Sequence, residues 1–342
     1  MIKSHACISD ARVRKILLAM KGSGKKVLYS GAYKCSHPKK FKYEGIDYSL
    51  IFRKRSIFNL VKTAFLDFQT LLKMNYKDSL YFIDEAIPIT LLPVLFFLKF
   101  RRVKLYIDLF DSHYLKSNRN RIVKILLRIT YLPFTSVIVT DENRAKVMGE
   151  LNIEKKIVVV ENYPYFSRMP HRRNPDVAPI TLFFYGSLSQ TRGWPFIKQF
   201  QNHSEFKVYL AGWDFLKIQK EKLPSNFEYL GLLSQSEIME FMRTQIDWVF
   251  CMYAPINQNN INASPNKIFD AMHAGCGVII NSEVGVSEFV RSEGLGVVVE
   301  NYDATIEAYI IELSKKNFQI ISSKDKLLTY SFNKYVDFYK GM

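Results

Sequence analysis

Ser264–Glu288 constrains the fold of this chain more than any other stretch. Ser264 suits a helix N-cap and Pro265 the first helical position, where a missing N–H costs nothing. Ile268, Ala271 and Met272 recur at helical spacing, and Gly275 can end the helix in a left-handed conformation. Gly277–Ile280 is a short apolar run of the kind that forms a buried strand. Glu283-Val284-Gly285 is the turn after it, and Ser287 or Glu288 opens another helix. Helix, buried strand, turn and helix in succession are the unit of a parallel α/β sheet.

Lys267 falls in the first turn of that helix, where the positive end of the helix dipole disfavours a cation. A bound anion reverses the cost, because free backbone N–H groups and the lysine then point at one charge. Asp270, three residues on, shares the face and can reach a second part of the same ligand. A phosphate joined to a hydroxyl-rich group fits this pair. So does a solvated face that happens to carry a lysine and an aspartate.

The 342 residues suit two domains of about 170 each, and a hydrophobic content of 48% excludes a disordered chain. The net charge of +16 is unevenly placed. Residues 1–170 carry 31 Lys and Arg against 14 Asp and Glu, whereas residues 171–342 carry 17 against 18. Such a first half suits a polyanionic partner, nucleic acid or an anionic membrane surface. No zinc-finger, RNP or basic-zipper pattern is present, so a nucleic-acid partner is not expected. Cys7, Cys35, Cys251 and Cys276 form no C-x-x-C and have no metal-like spacing to a histidine, which suits free thiols in a reducing compartment and no metal. The first residues lack an apolar core of signal-peptide length. Ile87–Phe100, followed by Arg101-Arg102, is the most membrane-like segment, but its 14 residues include two prolines and are too few to span a bilayer. It reads as a helix buried against a sheet, or as an interfacial helix with its basic end at the headgroups. A soluble or peripheral protein is expected.

Read in order, strands are expected at Ile2–Ile8, Val27–Ser30, Tyr48–Phe52, Leu80–Ile83, Val103–Ile107, Val137–Thr140 and Ile157–Val160. Helices are expected near residues 10–21 and at Ile57–Met74, with a basic loop over Gly31–Lys42. Four prolines over Tyr163–Pro179 and no periodicity mark a linker, placed at 166–179. Further strands follow at Ile180–Tyr185, Lys207–Ala211, Phe227–Leu230, Trp248–Met252, Gly277–Ile280 and Val297–Val299, and the chain reads as helical from Asn301. The domains are therefore 1–165 and 180–325, with a last helix in 326–342. Gly186-Ser187-Leu188-Ser189-Gln190-Thr191-Arg192-Gly193 is a glycine loop between a strand and a helix, a good place for phosphate. No G-x-G-x-x-G is present, so a dinucleotide fingerprint is not supported.

Pro265–Met272 with Gly275, Val278-Ile279, Gly285 and Glu288 resembles the donor-binding region of the family 4 glycosyltransferases, P-x-K-x-x-E-x-M-x-x-G-x-P-V-I followed by G-x-x-E. These are retaining, glycogen-synthase-like enzymes. The resemblance implies an α/β chain of the GT-B fold: two Rossmann-like domains facing a cleft, with the C-terminal helix crossing back to the first. It implies transfer of a sugar from a nucleoside-diphosphate sugar, with retention, to a glycan or lipid-linked saccharide. The setting implied is bacterial envelope polysaccharide synthesis (lipopolysaccharide, O-antigen or capsule), in the cytoplasm at the inner face of the plasma membrane. An anionic membrane surface is then the partner that suits the basic half.

The same resemblance distributes roles along the chain. The family loop G-x-L-x-x-x-K/R-G puts Arg192 on the diphosphate with Lys267, between Gly186 and Gly193, although Ser187 stands where relatives often have a second cation. Asp270 would bind ribose hydroxyls, and Gly212, Gly285 and Glu288 would lie near the donor. No metal or other cofactor is implied. Asp10–Lys15 resembles the D-x-R-V-x-K after the family's first strand, which gives Arg12 a place at the acceptor side; a solvated arginine is the plain alternative. Tyr106 and Asp111 fit a Y-D-x-H-D pattern loosely, with Phe110 where relatives have His. Asp111 is then a catalytic candidate or simply a helix cap, and His113 an acceptor-side candidate. In the family's E-x7-E the first acid aligns with Asn262, a departure, since an amide cannot stabilise positive charge as a carboxylate does. A catalytically inactive binding subunit and a nucleotide-sugar epimerase remain the alternatives.

Overall fold

A computed structural model describes residues 1–7, 11–33, 39–52, 68–83, 85–109, 112–117, 120–164, 179–215, 223–314 and 329–342. The chain divides into two compact units, Met1–Glu161 with Asn333–Met342, and Asn162–Phe332. Each is built on one sheet.

The first unit holds β1 (Ile2–Cys7), β2 (Leu28–Tyr33), β3 (Lys39–Tyr43), β4 (Ile46–Phe52), β5 (Ser79–Ile83), β6 (Lys104–Leu109), β7 (Ser136–Val139) and β8 (Ile157–Val159). Their spatial order is β3-β4-β2-β1-β5-β6-β7-β8, parallel throughout except for β3. β3 corrects the expected basic loop over Gly31–Lys42. It pairs antiparallel with β4 through a turn at Glu44-Gly45, both left-handed (φ 48° and 78°). Phe41 and Tyr43 alternate with lysines, so a strand at the sheet edge carries charges that deter further pairing. Of the expected Ile57–Met74 helix, the described part is Phe68–Lys73. Leu80, Phe82, Leu105, Ile107, Val137 and Val139 bury one face of this sheet against Leu95, Leu98, Leu127 and Tyr131.

Ile87–Phe100 is buried on one side and open on the other. It is two helices, Ala86–Thr90 and Leu92–Phe100, broken at Leu91 ahead of Pro93. Leu95 and Leu98 are buried, while Phe96, Phe97 and Phe100 are exposed. No helix among the described residues is long and apolar enough to cross a membrane.

The second unit holds β9 (Ile180–Ser187), β10 (Phe206–Trp213), β11 (Phe227–Tyr229), β12 (Trp248–Phe250), β13 (Gly277–Asn281) and β14 (Gly296–Val299). All are parallel, in the order β11-β10-β9-β12-β13-β14. The order runs outward in both directions from the β9/β12 pair, which makes that pair the topological switch point. In open parallel sheets the carboxyl ends of such strands form a crevice where ligands bind. Continuous apolar runs such as Leu182–Phe184 and Val278–Ile280 are buried on both faces, as parallel strands require.

Two boundaries shift. The helix after Ser264 runs Asn266–Ala274 with Pro265 as its N-cap, one residue later than expected, and ends at Gly275 (φ 79°). The stretch from Asn301 does not begin as a helix. Asn301 Oδ1 accepts the Asp303 N–H at 3.0 Å and Glu283 accepts that of Tyr302 at 3.0 Å, which holds a turn there; helical turns follow at Ile306–Ala308 and Ile310–Ser314.

Candidate functional site

The carboxyl ends of β9 and β10 set the floor of the site in the second unit. Gly186 and Gly212 are register partners, with φ of 92° and 144°. A Cβ on Gly212 would lie 1.9 Å from the Gly186 carbonyl oxygen, so only glycine allows the strands to close up here. The Gly212 N–H is in turn donated to Gly231 O at 2.8 Å.

Two cations meet at this floor. Lys267, in the first turn of Asn266–Ala274, lies with its Cε 3.8 Å from where a Gly186 Cβ would be. Its ammonium donates to Phe250 O at the end of β12 (3.3 Å) and sits 5.1 Å and 5.0 Å from the Phe184 and Tyr185 ring centroids. No acidic residue occupies that first helical turn. Arg192 lies over the Tyr253 ring at 4.1 Å, and its Nη1 is buried with no hydrogen-bond partner. Among the described residues no carboxylate forms an ion pair with either cation. Burial lowers the Lys267 pKa to about 8, with Arg192 adding to the fall and Asp270 opposing it. Burial pushes the Cys251 thiol up to about 12 although both cations pull it down, so Cys251 stays a neutral thiol beside them. Two half-buried cations at one strand-end crevice, with no ion-pair partner among the described residues, make an anion site.

The loop bearing Arg192 is fixed from behind. The Tyr302 hydroxyl accepts the Gly193 N–H at 2.8 Å and donates to Gln190 O, clamping both ends of the turn. Gly193 has φ of 101°, and a Cβ there would approach Met252 Cβ to 2.9 Å. Asp270 is 1% exposed, and its Oδ2 accepts from Tyr185 Oη (3.1 Å) and Gln235 Nε2 (3.0 Å). Tyr302, Tyr253, Tyr185 and Gln235 escaped the sequence reading. Tyr185 adjoins the glycine loop and could have been suspected, but the other three lie 35 or more residues from the group they hold, with no motif to mark them.

The remaining candidates fall as follows. Asn262 is buried at the end of a short helix, its amide donating to Gln258 O (2.8 Å) and Gln258 Oε1 (3.3 Å). Gly285 sits in the turn after β13 and donates its N–H to Ile261 O at 2.7 Å. Glu288, one helical turn later, is exposed and paired with Arg291 at 2.6 Å. In the first unit, Arg12 is 3% exposed and locked to Asp108 by two hydrogen bonds, Nε to Oδ1 (2.8 Å) and Nη2 to Oδ2 (2.9 Å). It also donates to Tyr335 Oη at 3.3 Å and Val160 O at 3.4 Å, so the structure gives it partners inside the unit rather than a solvated position. His113 is exposed and gives its backbone N–H to the buried Glu85, which also accepts from Ser112 Oγ and Tyr131 Oη. Phe110 and Asp111 lie outside the described residues, as does nearly all of the 166–179 linker. Among the described residues no group of three or more His, Cys, Asp and Glu is placed to hold a metal ion.

No known family pattern matches the sequence, and no curated protein does. Solved structures do match it along nearly its whole length. HepE of Anabaena, in a complex with UDP and glucose, shares 14% identity at a TM-score of 0.69, over 98% of this chain and 97% of that one. An alpha,alpha-trehalose-phosphate synthase (UDP-forming) from Burkholderia vietnamiensis shares 10% at 0.67, over 99% and 96%. The lipopolysaccharide outer core galactosyltransferase WaaB shares 13% at 0.65, over 100% and 97%. The chain has the fold of these GT-B glycosyltransferases.

Proposed function

We propose that the chain is a glycosyltransferase that takes a sugar from a nucleoside-diphosphate sugar, with uridine diphosphate as the nucleotide. The observation that carries this reading is the pair Arg192 and Lys267, neither with an ion-pair partner among the described residues, at the switch point of the second sheet, one with a buried unpartnered N–H and the other at a helix N-terminus. Breaking the bond between the sugar's anomeric carbon and the diphosphate leaves negative charge on the departing oxygen. Fixed cations and helix N–H groups aimed at that oxygen stabilise the charge as it develops. Asp270, held by Tyr185 and Gln235, is the group for ribose hydroxyls. The UDP bound in HepE and the UDP-forming activity named for the synthase support uridine over other bases.

The finer parts of the proposal rest on the family resemblance: retention at the anomeric carbon, a glycan or lipid-linked acceptor, no metal for the phosphates, and a role in envelope polysaccharide at the inner membrane face. WaaB, a lipopolysaccharide enzyme of the same fold, supports the last of these. One observation favours a second reading, an inactive binding subunit: Asn262 replaces an acid, and its amide is tied to Gln258.

Thermal unfolding with UDP, GDP, ADP and CMP in turn tests the donor site. UDP at about a hundred times its dissociation constant should add about 2.7 kcal/mol of stability, and Arg192→Ala should remove most of that gain. No response to any nucleotide would sink the proposal. Stabilisation without sugar transfer to any acceptor would favour the inactive subunit.

A further inference from the structure

The helix Arg121–Tyr131 in the first unit has two apolar faces, and only one is used. Leu127, Thr130 and Tyr131 are buried on the inner face. On the outer face Ile122, Ile125, Leu126, Ile129 and the following Leu132 are all exposed, Ile122 by 77% and Ile125 by 54%. The spacing 122, 125, 126, 129, 132 is a single stripe at helical period. Arg121, Lys124 and Arg128 recur at the same period along one edge of it.

The end of the Leu92–Phe100 helix is tied to this stripe. Lys99 Nζ donates to Leu132 O at 2.8 Å, and Phe100, next in sequence, is 87% exposed, with Phe96 and Phe97 also open. Residues 86–107 and 112–140 contain no Asp or Glu, but nine Lys and Arg. Isolated exposed leucines need no explanation, whereas a stripe of this length beside aromatics does.

We infer that this face docks on an anionic bilayer. The isoleucines and phenylalanines would enter the headgroup boundary, with Arg121, Lys124 and Arg128 reaching lipid phosphates from the stripe's edge. Charge decides the occupant. A second copy of the chain would bring the same acid-free, basic surface against itself, so like charges would face each other across the seam. This rests on the membrane-facing part of the proposed function and deepens it, adding the helix Arg121–Tyr131 to the Ile87–Phe100 segment.

Co-sedimentation of the full chain with vesicles of phosphatidylcholine alone, and of phosphatidylcholine mixed equally with phosphatidylglycerol, tests it. Binding should require phosphatidylglycerol and fall as salt rises. Ile122→Asn with Ile125→Asn should weaken binding by about tenfold or more, and Lys124→Glu with Arg128→Glu should abolish the preference for the anionic lipid. Ile122, Ile125 and Arg128 are exposed and Lys124 half-buried, so each variant should keep its thermal unfolding and its stabilisation by UDP, which separates failure here from failure of the donor site. Equal sedimentation of the wild-type chain and both variants would overturn the inference. So would a wild-type dimer in solution that ignores vesicles and is lost in the isoleucine variant, since that result gives the face to a second copy.

Discussion

Lys267 shows how a single residue trades stability for binding. Its pKa of about 8 in the folded chain lies below the ordinary lysine value, because burial and Arg192 disfavour the charged form. The unfolded chain therefore holds that proton more tightly, and stability rises as pH climbs from 8 toward the unfolded lysine pKa. Replacing the charge with an apolar chain of similar length should relieve the burden. Lys267→Met is expected to stabilise the free protein at neutral pH by about 1–2 kcal/mol and to abolish its stabilisation by UDP, both read in one thermal-unfolding series. In the wild-type chain, UDP affinity should weaken as pH rises through about 8, where the lysine loses its proton; titration calorimetry across that range measures it. A flat profile would mean that Lys267 does not meet the diphosphate. The sequence made Lys267 and Arg192 legible through their position after glycines and at a helix start. It could not show that neither is held in an ion pair among the described residues, because that depends on the side chains brought near by the fold.

At the level of elements, the site depends on how closely strands and loops approach. Gly212→Ala would force a methyl group into the Gly186 carbonyl, so either β9 or β10 must shift. The expected cost is about 2–4 kcal/mol, read as a fall in the unfolding temperature. Tyr302→Phe is gentler. It removes the hydroxyl that holds the Gly193 N–H and Gln190 O but keeps the ring, so UDP affinity should drop by about tenfold with little change in fold. Circular dichroism beside a UDP titration distinguishes the two effects. Among the described residues, every strand but β3 is readable as an apolar run between turn signals. β3 is not, because a lysine-rich segment at a sheet edge earns its place through backbone pairing with β4 rather than through burial.

For the whole molecule, the segment Asn333–Met342 belongs to the first unit, and buried polar chemistry holds it there. Asp108 accepts from Arg12 and from Tyr81, while Tyr81 and Arg12 are hydrogen-bonded to Tyr339 and Tyr335 of that segment. Asp108→Asn leaves Arg12 buried without its charge partner and should cost about 3–5 kcal/mol, measured by denaturant unfolding. The double variant Arg12→Met with Asp108→Leu should recover most of the loss, since it removes both buried charges. By itself the sequence determined the α/β class and the helix that ends at Gly275, because apolar periodicity and glycine placement are local properties that the chain carries with it. Only the tertiary structure decided what each charged residue does. Arg12, which the resemblance places at the acceptor side and which could as plainly be solvated, is locked to a partner 96 residues away, and the helix Arg121–Tyr131 has an exposed apolar face that no described residue of its own unit covers. Burial and pairing are settled by neighbours from distant parts of the chain, and no window of sequence contains them.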